Sequence, residues 1–302
     1  MTPTVSIVMP IYNQAAWLRS AVESVRRQQR ADWELLIVND GSTDGSGALA
    51  GTLAAEDPLR IRPLAHPGGA RLGAGASRNL AIAAARGAYL AFLDADDLYA
   101  PEKLAVEVEI LDQNPRAAML YGPALWRWPD GRRPDRVDRI GIECGRIHDP
   151  PELVWRILLD RQGNVPCTCA VLIRTEAARG VGGFEPSFSL YEDQTLWAKI
   201  FLRHGVYVSP SAHSVYRQHE GSTSARAAER GSYHFTAPHL AQRAFLDWVR
   251  QEATRAEVDD PRLRRALRRA ELPYQMPLLG RLHFRLRRAI RHLHRGLSRY
   301  SP

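Results

Sequence analysis

The chain has 302 residues, 45% of them hydrophobic, and a net charge of +8; that is enough apolar content for one large core or two modest ones, and it excludes a disordered or fibrous protein. No apolar run approaches the roughly 18 to 20 residues that cross a bilayer, and no basic segment followed by an apolar signal core opens the chain, so a cytoplasmic protein is expected. Residues 262–302 carry 12 arginines against the single acid Glu271, while the other 261 residues hold 29 basic and 32 acidic groups, which points to an anionic surface met by one end of the protein and away from a nucleic-acid-binding core.

Residues 5–9 form a short β-branched run ended by Pro10, and 14–29 follow with Trp17, Leu18, Ala21, Val22 and Val25 at helical spacing, so a strand and then a helix are predicted. A second strand is predicted over 34–38, a polar turn over 39–45, a helix over 46–55 and a third strand over 60–65. An alanine-rich helix is expected at 73–86, a strand at 88–93, a helix at 101–113 and a strand at 117–121. Strands alternating with helices require crossovers, hence a mostly parallel sheet covered on both faces, and ligands of such sheets bind beyond the carboxyl ends of the strands.

Residues 125–151 show no clean period and read as a long loop over the site or an irregular connection. A helix at 151–159, a strand at 168–174, a turn at 180–185, a helix at 190–204 and strands at 207–209 and 214–217 complete a body of residues 1–224. The extension, 225–302, is helical by pattern. Within it Leu282, Leu286, Ile290, Leu293 and Leu297 recur every three or four residues, with Arg285, Arg288, Arg291, Arg295 and Arg299 off that stripe. Such a basic amphipathic helix suits an anionic membrane surface or packs on the protein with its arginines solvated. Nucleic acid is not expected there, because few aromatic residues are interleaved with the arginines. Cys144, Cys167 and Cys169 are odd in number and lack the spacing of a zinc site, so reduced core thiols are expected.

The most informative stretch is Asp94-Ala95-Asp96-Asp97, three carboxylates directly after the strand at 88–93. Two acids one position apart at such an edge can share a divalent metal whose other positions are filled by water and phosphate oxygens; the same residues can instead start the next helix, where Asp is a good cap and Pro101 suits the first turn. Asp40 lies on the same edge, in Asn39-Asp40-Gly41-Ser42, and can accept the imide hydrogen of uracil or thymine, or form an Asx turn. Tyr12, just past the first strand, can lie flat against a base or serve packing. Arg78 and Asn79 fall in the first turns of a helix behind Gly73-Ala74-Gly75, where free amides and a guanidinium approach phosphate or sugar. Gly73-x-Gly75 with Asp94 about 20 residues later also mimics a dinucleotide fingerprint, the basis of an oxidoreductase alternative. That alternative fails where Arg78 replaces the third glycine.

Val5-Ser6-Ile7-Val8-Met9-Pro10-Ile11-Tyr12-Asn13, Asn39-Asp40-Gly41-Ser42, Ala76-Ser77-Arg78-Asn79, Asp94-Ala95-Asp96-Asp97 and Glu192-Asp193, in this order and spacing, resemble the family 2 glycosyltransferases of the GT-A fold. The resemblance covers about residues 4 to 224. It implies an α/β, Rossmann-like GT-A domain and an inverting transfer of one sugar from a nucleotide diphosphate to an acceptor hydroxyl, with Mn²⁺ or Mg²⁺. By position, Asp40 would hold the base and Tyr12 stack on it, with Pro10, Asn13, Arg78, Asn79, Asp94 and Ala95 among the donor contacts. Asp96 would be the principal metal ligand, with Asp94 beside it. Asp193 would be the catalytic base, ahead of Glu192 and, as a lesser candidate, Glu185. Tyr216-Arg217-Gln218-His219 resembles a late metal or diphosphate contact, which makes His219 a candidate ligand and Arg217 a candidate phosphate contact. The Gln-x-x-Arg-Trp stretch of processive relatives is missing, which favours single-sugar transfer onto a glycan or lipid-linked acceptor in cell-surface polysaccharide synthesis. UDP is favoured over other nucleotides, and a degenerate domain serving as an assembly partner is the non-enzymatic alternative. Only two lysines, Lys103 and Lys199, stand against 39 arginines, a composition that suits a GC-rich bacterial genome.

Overall fold

The computed structural model of the protein describes residues 2–229, 231 and 238–275. The chain divides into two compact units, one ending at Glu220 and one beginning at Gly221. In chain order the first unit contains β1 (Val5–Ile11), α1 (Ala15–Arg26), β2 (Trp33–Asn39), α2 (Ser46–Glu56), β3 (Ile61–Ala65), α3 (Ala74–Ala84), β4 (Tyr89–Phe92), β5 (Leu98–Tyr99), α4 (Lys103–Gln113), β6 (Ala117–Tyr121), β7 (Leu125–Arg127), β8 (Arg136–Val137) and β9 (Arg146–His148). It continues through a π-helical turn (Val154–Leu159) to β10 (Val171–Arg174), α5 (Thr175–Gly180), α6 (Glu192–Arg203), β11 (Gly205–Val208) and β12 (Ser214–Arg217). The second unit contains α7 (Thr223–Glu229), α8 (Leu240–Arg255) and α9 (Pro261–Gln275). No helix among the described residues is long and apolar enough to cross a membrane.

The main sheet has the order β3-β2-β1-β4-β10-β6-β11-β9. Its β1, β2, β3 and β4 pair in parallel, but β10 runs antiparallel to both β4 and β6, and β9 antiparallel to β11. The sheet is therefore mixed: six of its eight strands run one way, in keeping with the mostly parallel sheet expected from alternating strands and helices, and β9 and β10 run against them. The reason is β10: it arrives from the long connection after β9, without the single crossover helix that forces parallel pairing. The central strands are buried on both faces, which is why they read as continuous apolar runs.

Pro10 does not end the first strand. Val8 O accepts from Leu93 N on the β4 side and Ile11 O from Asp40 N on the β2 side. That alternation turns position 10 towards β4, beyond the last β1–β4 pair at Val8 and Phe92, so the missing N–H interrupts no ladder bond.

The stretch 125–151, expected as an irregular loop, contributes three short strands. β7 and β8 form a hairpin in a second sheet of order β5-β12-β7-β8. Cys169 is buried, but Cys144 is exposed and Cys167 half-buried, so the expectation of three core thiols fails at Cys144. Helices α8 and α9 lie within the extension that was expected to be helical, although no separate bounds were drawn for them. The amphipathic segment predicted at 281–300 lies outside the described residues.

Candidate active site

The loops leaving the carboxyl ends of β1, β2 and β4 meet, and their own side chains lock them. Asn13, at φ 53, accepts from Thr43 N at 2.8 Å while its amide donates to Ser42 Oγ at 3.1 Å. The amides of Gln14 and Ala15 donate to Ser46 Oγ and Asp44 Oδ2 at 2.8 and 3.0 Å. These contacts cap α1 from a neighbouring loop, which explains why α1 has no side-chain cap of its own.

Asp40 is buried. Its Oδ1 accepts from Leu72 N and Gly73 N at 2.7 and 3.1 Å, and its Oδ2 from Gly73 N at 3.0 Å. The glycine-rich entry to α3 is thus turned onto a carboxylate, which occupies the Leu72 and Gly73 amides and sets a negative charge where a dinucleotide pyrophosphate would approach. Oδ2, with one such bond, keeps acceptor capacity. Tyr12, half-buried, carries the Arg71 guanidinium 3.8 Å from its ring centroid. Arg71 was not identified from the sequence, since it lies in an irregular loop with no periodic signal.

Residues 94–97 form a tight turn closed by Asp97 N donating to Asp94 O at 2.9 Å. Ala95 is buried, and Pro10 is half-buried at the end of β1. Arg217 grips the turn from below. Its Nε donates to Asp96 O, its Nη2 lies 3.4 Å from Ala95 O and Asp97 O, and its Nη1 donates to Ser20 Oγ at 3.0 Å. Its guanidinium also stacks over Trp17 at 4.6 Å. The structure therefore commits Arg217, expected at phosphate oxygens, to backbone carbonyls. Asp97 points inward, accepting from Arg217 N at 3.0 Å, and burial with two neighbouring carboxylates holds its carboxyl well above the usual range.

Asp96 points the other way. Its Oδ2 lies 2.9 Å from His219 Nε2, and His219 packs against Trp17 with centroids 5.1 Å apart. A carboxylate oxygen facing an imidazole nitrogen is a donor set that suits Mn²⁺ better than Mg²⁺. Asp94 is drawn aside to Arg78. Among the described residues, the trio bringing one ligand atom each within 4.8 Å is not Asp94, Asp96 and His219 but Glu143, His148 and Glu152. There Arg156 Nη1 already sits 2.8 and 2.7 Å from the two carboxylates, so a cation has little charge left to offset.

The junction of the site is Arg78, 3% exposed. Its Nη2 donates to Asp94 Oδ1 at 2.6 Å and its Nη1 to Glu192 Oε1 at 3.3 Å. One guanidinium thus ties the turn after β4 to the first residue of α6. The flanking carboxylates keep Arg78 charged despite its burial, its affinity for the proton being raised above the ordinary value. Asn79, one residue on, exchanges two hydrogen bonds with the backbone of Phe184, at 2.9 and 2.8 Å. That exchange fixes the loop before α6 and leaves Asn79 a brace. Gly183, at φ +66, is required there, since a Cβ would stand 2.3 Å from Asn79 Oδ1.

Glu192 and Asp193 open α6, whose Leu196, Trp197, Ile200 and Phe201 are buried behind them. Burial raises the Glu192 carboxyl, partly offset by Arg78. Burial beside Glu192 pushes Asp193 from 3.8 to about 7. Asp193 Oδ1 accepts from Gln194 N at 2.8 Å, and Glu185 accepts from Ser187 Oγ at 3.2 Å. The geometry brings together a carboxylate–imidazole pair at hydrogen-bond distance, a bridging guanidinium, and a carboxyl pushed up to about 7.

Comparison with known proteins bears on the family and the fold. The profile described as "Glycosyl transferase family 2" matches residues 6–179, more than half of the chain. An uncharacterized glycosyltransferase of Rickettsia bellii is 30% identical over 219 residues, 68% of this chain; the chain spans only 28% of that relative's length. Among solved structures, S. aureus TarS in complex with UDP-GlcNAc superposes with TM-score 0.67 at 17% identity, over 90% of this chain and 76% of that one. The mannosyltransferase PcManGT from Pyrobaculum calidifontis, in complex with GDP-Man and Mn²⁺, gives TM-score 0.56 at 18% identity, over 94% and 84% of the two chains. These likenesses establish the GT-A architecture, and with the profile match they show that the chain belongs to glycosyl transferase family 2.

Proposed function

We propose that the protein is an inverting, metal-dependent glycosyltransferase that moves one sugar from a nucleotide diphosphate, UDP-sugar favoured, to a hydroxyl of a glycan or lipid-linked acceptor in cell-surface polysaccharide synthesis. The observation that carries this reading is the double ion pair of Arg78, which sets the carboxylate turn after β4 and the acidic start of α6 on the two sides of one guanidinium. Leaving-group and acceptor chemistry need two such carboxylate groups held apart and facing one space.

In this reading Asp96 and His219 hold Mn²⁺ or Mg²⁺, with Asp94 in reach of the donor. The ion supplies positive charge that offsets the departing diphosphate. Asp40 Oδ2 accepts a hydrogen bond from the imide N–H of uracil, and Tyr12, with Arg71 stacked on one face of its ring, offers the other face to the base. Asp193 takes the acceptor proton at its carboxylate, for which a titration near neutrality is well matched. Glu192 stays on Arg78 and fixes the start of α6. The solved neighbour bound to UDP-GlcNAc and the one bound to GDP-Man and Mn²⁺ support this class of ligand. The basic segment 281–302 docks the enzyme on the anionic cytoplasmic face of a membrane.

The test is a thermal-shift panel of UDP, TDP, GDP, CDP and NAD, each with and without Mn²⁺. A ligand at about 100 times its dissociation constant adds roughly 2.7 kcal/mol. Stabilisation by UDP that requires Mn²⁺ supports the reading. Stabilisation by NAD alone would restore the dinucleotide alternative, and silence throughout would leave a degenerate domain.

A further inference from the structure

We propose that the β7–β8 hairpin is an anion subsite for the acceptor, in which Arg133 and Arg136 bind a phosphate or carboxylate group that the acceptor carries. This rests on the transferase reading and adds a chemical class to its second substrate. Trp126 and Trp128 lie with ring centroids 6.3 Å apart, and Trp126 meets Tyr216 edge-on at 5.3 Å. Onto this aromatic floor the hairpin lays two cations. Arg136 stacks 4.9 Å from Trp126 and 5.8 Å from Trp128, and Arg133 stacks 5.8 Å from Trp128. Two positive groups therefore share one indole.

The nearby acids are spent elsewhere. Asp135 holds Arg127 at 2.8 Å, Asp130 and Glu220 both hold Arg132 at 3.2 Å, and Asp138 is buried with its Oδ1 accepting from Ala124 N at 2.7 Å. Among the described residues, Arg133 and Arg136 have no carboxylate within ion-pair distance. Gathering like charges without a counter-charge is unfavourable, while guanidinium planes already ordered on indoles lose little freedom on meeting an anion.

Position favours the acceptor over the donor. Trp126 pairs with both Tyr216 and Arg136, so Arg136 sits two strands to the side of β12, roughly 10 Å at the backbone. The strand β12 ends two residues before His219, and Arg132 ties the hairpin to Glu220, the residue after it. The subsite thus borders the proposed metal position yet stands one substrate fragment away from it.

The experiment compares the full-length protein with Arg133→Gln/Arg136→Gln. One arm titrates inorganic pyrophosphate without Mn²⁺; the other titrates UDP with Mn²⁺. Pyrophosphate affinity at least tenfold weaker in the double variant, with UDP–Mn²⁺ affinity unchanged, is expected. Equal pyrophosphate affinity in the two proteins, or no binding by wild type, overturns the proposal. A parallel loss of UDP–Mn²⁺ affinity also overturns it, because the arginines would then serve the donor. Wild type that ignores UDP, TDP, GDP and CDP with Mn²⁺ but binds pyrophosphate through these arginines sinks the transferase reading and leaves an anion site. Arg133→Gln by itself, at an exposed turn, keeps the test readable should the double variant lower the melting temperature of the free protein.

Discussion

Replacing Asp193 with Asn separates the cost of this carboxylate from its use. The folded protein raises its titration from 3.8 to about 7, a displacement of about 3 units, or on the order of 4 kcal/mol against the ionised form. Glu192 shares that cost, so this is a ceiling for the pair. The contribution favours the folded state fully below 3.8 and is lost as pH rises through about 7, so at pH 8 wild type carries the whole penalty. Asp193→Asn removes the charge while keeping the shape and the contact to Gln194 N. It is expected to unfold about 1 to 3 kcal/mol less readily at pH 8, with the difference vanishing below about pH 4. Transfer should fall by about 10² to 10⁴, the usual worth of a positioned general base, with UDP–Mn²⁺ affinity unchanged. Denaturant unfolding at three pH values, with sugar transfer and nucleotide calorimetry, checks all three. Retained transfer would reject the base assignment, and stability unaffected at pH 8 would reject the buried-carboxylate argument.

Wild-type kcat/KM should show an acid limb near pH 7, because Asp193 protonates as pH falls through its raised value; a flat profile from pH 5.5 to 8 contradicts this. Arg78→Met leaves Asp94 and Glu192 facing each other without a cation and should cost about 3 to 5 kcal/mol in unfolding free energy; a loss below about 1 kcal/mol would show the ion pairs to be dispensable. His219→Ala should weaken Mn²⁺-dependent UDP binding at least tenfold while leaving the melting temperature of the free protein within a few degrees, read by calorimetry and thermal shift. Deleting residues 281–302 should reduce sedimentation with phosphatidylserine vesicles, and unchanged sedimentation would dismiss the tail as a membrane contact.

Much of this molecule is written locally. β-branched runs and 3.6-residue periodicity are properties of a few neighbouring residues, and they placed β1 to β4, β6, α1 to α4 and α6 within a few positions. The acid-rich turn after β4 and the Asn-Asp-Gly-Ser turn after β2 were equally legible, since turn chemistry is read from consecutive side chains. The extension was read as helical without separate bounds for α8 and α9, because arginine stems cover apolar surface that a binary pattern counts as polar.

What the sequence determined by itself is which strands, helices and polar turns exist, and that carboxylates collect at one sheet edge. Only the tertiary structure decided how they are partnered. It turned β10 antiparallel, gave the guanidinium of Arg78 to Asp94 and to Glu192, 114 residues away, set Arg71 on Tyr12, and tied Arg217 to carbonyls. The physical reason is that a guanidinium can donate to a phosphate, a carboxylate or a carbonyl oxygen. Residue type fixes what an arginine can bind, and only the packing around it fixes which acceptor lies within 3 Å.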